Sequence, residues 1–294
     1  MDNLLNTITH GDSFELIHQI EDHSIDLILT DPPYFLNDSG GFKGKEWDSS
    51  KSLLDAATIE KIESGTLNKT QARKEYLNAV EIYFIYMTKI LLPKLKVDGT
   101  LIIFNRKHNL DTINSVIQKD IFTQDEWMQF EISNQQSQPI SRWFTTYLEW
   151  KKTNPQQLIQ EVDESEYALI ATNMTQSNPE KIAQIPKFWD DNLNSDNQYY
   201  ATSPYRSKTI FYENSNHVSP KPIALWADLI KRFTNPHDTV LDIFSGSGTT
   251  ALVSEDLNRN YIAFEFEKEQ VERSLNRLNS FKHNMPHSVF PFRT

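Results

Sequence analysis

The chain has 294 residues, 38% hydrophobic and 23% charged, enough to bury the core of one large domain or of one domain carrying an insertion. Twenty-nine Lys and Arg face forty Asp and Glu, a formal charge of −11, which excludes a protein that coats nucleic acid through its overall charge and makes any such surface local. No cysteine is present, so disulfides, thiolate metal sites and thiol nucleophiles are excluded; with no run of 18 apolar residues and an acidic start, Met1-Asp2-Asn3, the expectation is a cytoplasmic protein without membrane span or metal.

In chain order, Thr7-Ile8-Thr9 reads as a strand leading into His10-Gly11-Asp12, and Phe14, Leu16, Ile17 and Ile20 space a short helix. Ser24 to Thr30 is a buried strand, stopped by Asp31-Pro32-Pro33-Tyr34, since two prolines cannot continue a ladder. From Phe35 to about Arg73 turn formers and mixed charge predict a loop passing into polar helix. Glu75 to Leu95 has helical spacing, Asp98-Gly99 closes it, and Thr100 to Phe104 is the next strand. A helix at about Leu110 to Gln118 and a strand around Tyr147 to Trp150 repeat the alternation, which favours a parallel α/β sheet. The polar stretch from Asn154 to about Tyr205 has no sustained period and reads as an inserted module. It divides a discontinuous domain of residues 1–153 and 206–294. Pro222 to Phe233 then predicts a helix, Thr239 to Phe244 a strand, Ser245-Gly246-Ser247-Gly248-Thr249 a turn opening a helix to about Leu257, Tyr261 to Glu265 a strand and Lys268 to about Phe281 a final helix.

Two of these segments carry chemistry. A strand, a Gly-x-Gly turn, a helix and a carboxylate on the next strand, Glu265 at 17 residues past Gly248, make half of a nucleotide-binding sheet. The helix N-terminus favours an anion, and the carboxylate can take both hydroxyls of a ribose. Asp31-Pro32-Pro33-Tyr34 freezes a carboxylate, a main-chain carbonyl and an aromatic ring in one rigid turn. Such a turn can accept both hydrogens of an exocyclic amine while Tyr34 stacks on the heterocycle.

Together the two motifs resemble the S-adenosylmethionine-dependent DNA amino-methyltransferases, with their Asp-Pro-Pro-Tyr tetrapeptide and Phe-x-Gly-x-Gly turn, and the order, Asp31 first and Phe244 far downstream, resembles the permuted β group. His10-Gly11-Asp12, Glu46-Trp47-Asp48, Trp150 to Pro155 and Lys221-Pro222 extend the likeness along most of the chain. Two positions depart from it: Asp242-Ile243-Phe244 stands where the family commonly has Asp-Pro-Phe, and Val218 follows His217 where it has proline. The resemblance implies a doubly wound, mostly parallel Rossmann-like sheet in permuted order with an inserted recognition module. The strand ending at Phe244 would lie beside the one ending at Thr30, and the strand before Asp12 beside the one ending at Glu265.

It also implies roles. Asp12 would meet the adenine of S-adenosylmethionine, Glu265 its ribose, and Phe244 with the Gly246 and Gly248 backbone its methionine portion, with Asp242, Ser245 and Thr249 also on the cofactor and Lys221 assisting its carboxylate. Asp31, Pro32, Pro33 and Tyr34 would hold a flipped base of double-stranded DNA, and the methyl would pass directly to adenine N6. Alternatives are transfer to cytosine N4, to RNA or a protein glutamine, or a non-catalytic DNA-binding subunit. A homodimer or a cognate restriction subunit would be the partner, in a prokaryotic cell or encoded by a phage. Between Ser137 and Lys208 seven basic residues, with Arg206 and Lys208 beside Tyr205, face nine acidic ones. DNA binding should therefore rest on few phosphate contacts, and titration in rising salt should show a shallow slope; a loss of about 10³-fold or more between 50 and 200 mM would contradict this.

Overall fold

The computed structural model describes residues 3–35, 50–119, 142–151, 165–174 and 223–284. Seven strands form one sheet: β1 (Thr7–His10), β2 (Ile25–Thr30), β3 (Leu95–Asn105), β4 (Arg142–Lys151), β5 (Ser165–Met174), β6 (Thr239–Asp242) and β7 (Asn260–Glu265), in the order β1-β7-β6-β2-β3-β5-β4. The helices among the described residues are α1 (Ser13–Leu16), α2 (Ala56–Glu63), α3 (Lys69–Leu91), α4 (Lys107–Lys119), α5 (Ile223–Phe233), α6 (Thr249–Asp256) and α7 (Lys268–Asn284). All neighbours pair in parallel except β5, which runs antiparallel to both β3 and β4.

Alternate residues of each strand enter two cores, as the period of two requires. Leu27, Leu29, Ile102 and Phe104 face α5, α6 and α7, whereas Ile28, Leu101 and Ile103 face α1, α3 and α4. The sheet is buried on both faces, which is why its central strands read as unbroken apolar runs. The helix after β6 covers one face and the long helix following β2 covers the other, so the chain reverses its winding between these adjacent strands. That is the switch point where such sheets open a crevice at the carboxyl ends of their strands.

Both adjacencies implied by the resemblance are present. Leu27 and Ile28 pair with Val240 and Leu241, and His10 pairs with Glu265, so the N-terminal strand completes the sheet edge that the C-terminal strands leave open. Three differences from the sequence reading have identifiable physical causes. Helix α3 begins at Lys69, before the apolar period starts, because Asn68 and Gln71 close a reciprocal capping box (Asn68 Oδ1 to the Gln71 N–H at 3.0 Å, Gln71 Oε1 to the Asn68 N–H at 2.9 Å). Asp98, at φ +65°, and Gly99 make a turn inside β3, so pairing jumps from Ile25 with Leu95 to Leu27 with Thr100. Ser165–Met174, expected within the insert, is a strand of the main sheet. Its alternation of Tyr167, Leu169 and Ala171 against Ala168 and Ile170 fills both cores through pairing with β3 and β4. The Glu46-Trp47-Asp48 segment, Lys221, His217 and the remainder of 154–205 lie outside the described residues.

Trp226 of α5 stacks on Phe104 with ring centroids 4.9 Å apart and is 2% exposed. Trp226→Ala should lower unfolding free energy by about 3–5 kcal/mol, read as a drop in the urea midpoint at unchanged slope.

Candidate functional site

The site is assembled where β2, β6, β7 and β1 end. The carboxylate of Asp242, 4% exposed at the end of β6, accepts from Thr30 Oγ1 at 2.9 Å and the Phe244 N–H at 3.1 Å through Oδ1, and from Thr250 Oγ1 at 2.6 Å through Oδ2. Thr250 Oγ1 in turn accepts the indole N–H of Trp226 at 2.8 Å. One buried group thus fixes the residue before Asp31, the start of the glycine turn and the first turn of α6. Burial, with a smaller contribution from the charge of Asp31, pushes its carboxyl up to about 6 against the lowering effect of these hydrogen bonds.

The glycine turn is held from three sides. Gly248 stands at φ +74° as the N-cap of α6, and a Cβ there would lie 3.0 Å from Ser274 Cβ, so glycine is required both by conformation and by the closeness of α7. From α7, Gln270 Nε2 and Ser274 Oγ donate to Gly246 O at 3.1 and 2.6 Å, and the buried Arg277 donates to Ser247 O at 2.8 Å and Thr249 Oγ1 at 3.1 Å. Glu265 accepts the Gly246 N–H at 2.9 Å through Oε2 and the Glu267 N–H at 2.8 Å through Oε1. Burial raises its pKa, partly offset by those two backbone donors.

The N-terminal segment closes the other wall. Gly11 N–H donates to Glu265 O at 3.0 Å, Ser13 Oγ donates to Ile243 O, and Asp12, exposed, caps α1 by accepting the Phe14 N–H at 2.9 Å. Phe14 lies 6.5 Å from Phe244 and 5.2 Å from Tyr83, centroid to centroid. Burial raises the Tyr83 hydroxyl well above its usual range, and Asp12 adds to the effect. After Tyr34 comes Phe35, a bulky residue at φ +48°, whose buried ring is clamped 4.8 Å from Tyr83 and 6.0 Å from Phe84. Strain of this kind persists only where packing enforces it.

The structure therefore brings Asp31, Pro32, Pro33, Tyr34, Phe244, Gly246, Gly248, Glu265 and Asp12 to one edge. Asp242 and Thr249, expected on the cofactor, are turned inward instead: both are 4% exposed and bonded to protein groups, which gives them a supporting role. Ser245 Oγ is buried without a partner among the described residues, a donor left over at the mouth of the turn. Sequence reading missed Thr30, Thr250 and Arg277, polar residues signalled only by their positions in apolar segments. It also missed Asn105 at the end of β3, whose amide nitrogen donates to Pro32 O at 3.1 Å. Phe266, 65% exposed directly after Glu265, is a further candidate wall of the crevice. Among the described residues no group of His, Asp and Glu is placed to hold a metal, and no helix is long and apolar enough to cross a membrane.

A family model described as DNA methylase, for N6 and N4 methyltransferases, matches residues 25–276. Two Type II methyltransferases of Moraxella bovis are each 27% identical: M2.MboI over 278 residues, covering 92% of this chain and 86% of the relative, and M1.MboII over 289 residues, covering 95% and 99%. The PvuII DNA methyltransferase, described as cytosine-N4-specific, is similar in structure with a TM-score of 0.54 at 19% identity, covering 97% of this chain and 89% of that one. At that identity the likeness speaks to the fold.

The raised carboxyl of Asp242 has a testable sign. Folded protein retains a proton there that the unfolded chain, with the ordinary value of 3.8, releases, so the associated stability is full below pH 4 and is lost as pH rises through about 6. Asp242→Asn removes this component. Its stability relative to wild type should improve from pH 4 to 7 in parallel thermal melts, and parallel pH curves for the two proteins would refute the assignment.

Proposed function

Because this chain belongs to the N6/N4 DNA methylase family, using S-adenosylmethionine to methylate DNA, we propose that it transfers the methyl group to the exocyclic N6 of an adenine flipped into the Asp31 turn. The observation that carries this reading is the pairing of β2 with β6, tied by Thr30 and Asp242, which sets the acceptor turn beside the glycine turn.

The donor set suits a nucleoside with a charged amino-acid arm. The Glu265 carboxylate stands at the end of β7, the glycine turn opens α6, Ser245 Oγ is left without a protein partner among the described residues, and Phe244 and the exposed Asp12 border the same edge. When bound there, the cofactor supplies an electrophilic methyl on a sulfonium. The lone pair of an aryl amine is delocalised into its ring, so the amine attacks poorly. Hydrogen bonds from its two N–H groups to the Asp31 carboxylate and the Pro32 carbonyl localise that pair and aim it at the methyl. With the methyl supplied in this way and the sulfur keeping the electron pair of its broken C–S bond, Asp31 would take the surplus proton of the newly methylated amine and pass it to water. Tyr34 stacks on the extruded base and partly offsets the unstacking cost of a few kcal/mol. Adenine is favoured because an acid-led turn accompanies adenine in the resembling group, whereas a serine-led one is more usual for cytosine. Recognition is assigned to the part of the insert that follows β5, residues 175–205, since the sheet itself takes up Ser165–Met174.

Two outcomes are expected. Asp31→Ala should abolish transfer at saturating DNA while calorimetric affinity for S-adenosylmethionine stays within a few-fold, and Glu265→Ala should lose that affinity; an active Asp31→Ala protein would remove the turn from the chemistry. Nucleosides from methylated DNA, separated by mass, should contain N6-methyladenine, and N4-methylcytosine alone would overturn the base assignment while sparing the mechanism.

A further inference from the structure

Pro32 and Pro33 have no N–H, so three successive carbonyls, those of Pro32, Pro33 and Tyr34, look to other elements for donors. Two side-chain amides supply them. Asn105, 1% exposed at the end of β3, donates from Nδ2 to Pro32 O at 3.1 Å and Pro33 O at 3.4 Å. Asn109, one turn along in α4 and 6% exposed, donates from Nδ2 to Tyr34 O at 3.5 Å and to Asn105 Oδ1 at 2.7 Å. The Arg106 N–H also donates to Asn105 Oδ1, at 3.0 Å.

This arrangement has one polarity. With Asn105 Oδ1 taken by two donors, its NH₂ has to face the prolines, and all four amide hydrogens of the pair find acceptors. A carbonyl oxygen has two lone pairs, and Asn105 occupies one of those on Pro32. The direction of the other is then fixed by a buried side chain on a central strand.

We propose that Asn105, latched by Asn109, is a positioning residue of methyl transfer: it holds the Pro32 carbonyl so that its remaining lone pair receives one hydrogen of the target amine. The inference rests on the reading of the Asp31 turn given above. Asn105 touches neither base nor cofactor; it acts through the peptide that does. Losing it leaves the cofactor crevice intact, because none of the bonds around Glu265, Gly246 and Asp242 involves Asn105 or Asn109. The amine then loses its second acceptor in the reactive geometry, a misplacement that weighs on the transition state more than on binding.

Substituting Asn105 with Asp is the sharpest probe, since it preserves shape and inverts polarity. An ionised Asp at this position turns an acceptor toward acceptors, whereas a protonated one donates to Pro32 O again. Burial beside carbonyls raises the pKa of such a group and brings the switch into a workable range.

The test measures single-turnover transfer of labelled methyl to unmethylated genomic DNA, with cofactor affinity by calorimetry and melting temperature alongside. Asn105→Ala should slow transfer about 10²-fold with cofactor affinity within three-fold. Asn105→Asp should be slower still at pH 8, and its deficit relative to wild type should narrow as pH falls toward 5.5. Asn109→Ala, which removes the latch on Asn105 together with the donor to Tyr34 O, should slow transfer about 10-fold and serves if neither Asn105 variant folds. Wild-type rates in the variants that fold, or parallel loss of rate, cofactor affinity and melting temperature, would overturn the proposal. A pH-independent Asn105→Asp deficit would do the same. A wild-type protein that transfers no methyl to DNA would instead overturn the reading beneath it.

Discussion

The buried carboxylate of Asp242 is the constraint from which the rest of the site hangs. A carboxylate at 4% exposure is costly unless every oxygen is engaged, and the chain engages this one with groups from three elements: Thr30 on β2, the Phe244 amide after β6 and Thr250 on α6. Its attachments are therefore not interchangeable with apolar packing. Moving β2 by one residue would take Thr30 out of reach and leave the charge under-satisfied, so the register that places Asp31 beside the glycine turn is enforced electrostatically as well as by the apolar pleat. Trp226 extends the enforcement downward, since its indole N–H orients Thr250 while its ring stacks on Phe104 of β3.

A second consequence concerns the permuted chain order. Residues that share one edge are separated by more than two hundred positions: Thr30 bonds to Asp242, Gly11 to Glu265 and Ser13 to Ile243. A sheet is indifferent to where the chain begins, provided that each strand finds its neighbours and each crossover keeps its hand. Here β1 pairs with β7 through His10 and Glu265, so the first strand of the sequence seals the edge that the last strand exposes. The two ends of the described chain are thereby committed to one half of the crevice, whereas the middle supplies the acceptor turn and its support.

What could be read in the sequence, and what could not, follows from the range of the interactions. The strands other than Ser165–Met174, and the two turns, were legible because apolar runs, prolines and glycines act within a few residues. The adjacency of the strands ending at Thr30 and Phe244, a long-range feature, came only from the family resemblance. Helix α3 began earlier than its apolar period because a capping box, Asn68 with Gln71, outweighs the absence of a stripe in its first turns. Ser165–Met174 was misjudged because its polar flanks mask a strand whose identity depends on partners about sixty residues away in β3. Asp242 and Thr249 were assigned to a ligand although they serve the turn, since a polar residue in a motif looks the same whether it points outward or inward. Asn105, Asn109 and Arg277 were invisible for the same reason in reverse: nothing local separates a surface amide or guanidinium from one that ends on a distant carbonyl.

The division of labour between the two turns explains why one is glycine and the other proline. The glycine turn has to accept positive φ and let α7 approach, and Gly248 meets both demands while Gln270, Ser274 and Arg277 restrain it from outside. On the proposed mechanism the Asp31 turn has a different task and presents oxygens only, because its substrate would offer hydrogens. Proline removes the competing N–H groups and fixes φ, which lowers the freedom lost on ordering but also takes away backbone donors of the turn's own. The shortage is met from β3 and α4, elements anchored in the core beneath the turn by Ile103, Leu110 and Ile113. A rigid turn of carbonyls thus takes its donors from a rigid neighbour, and the same core that buries β3 fixes the direction of the Pro32 carbonyl, the group proposed to receive the substrate's amine.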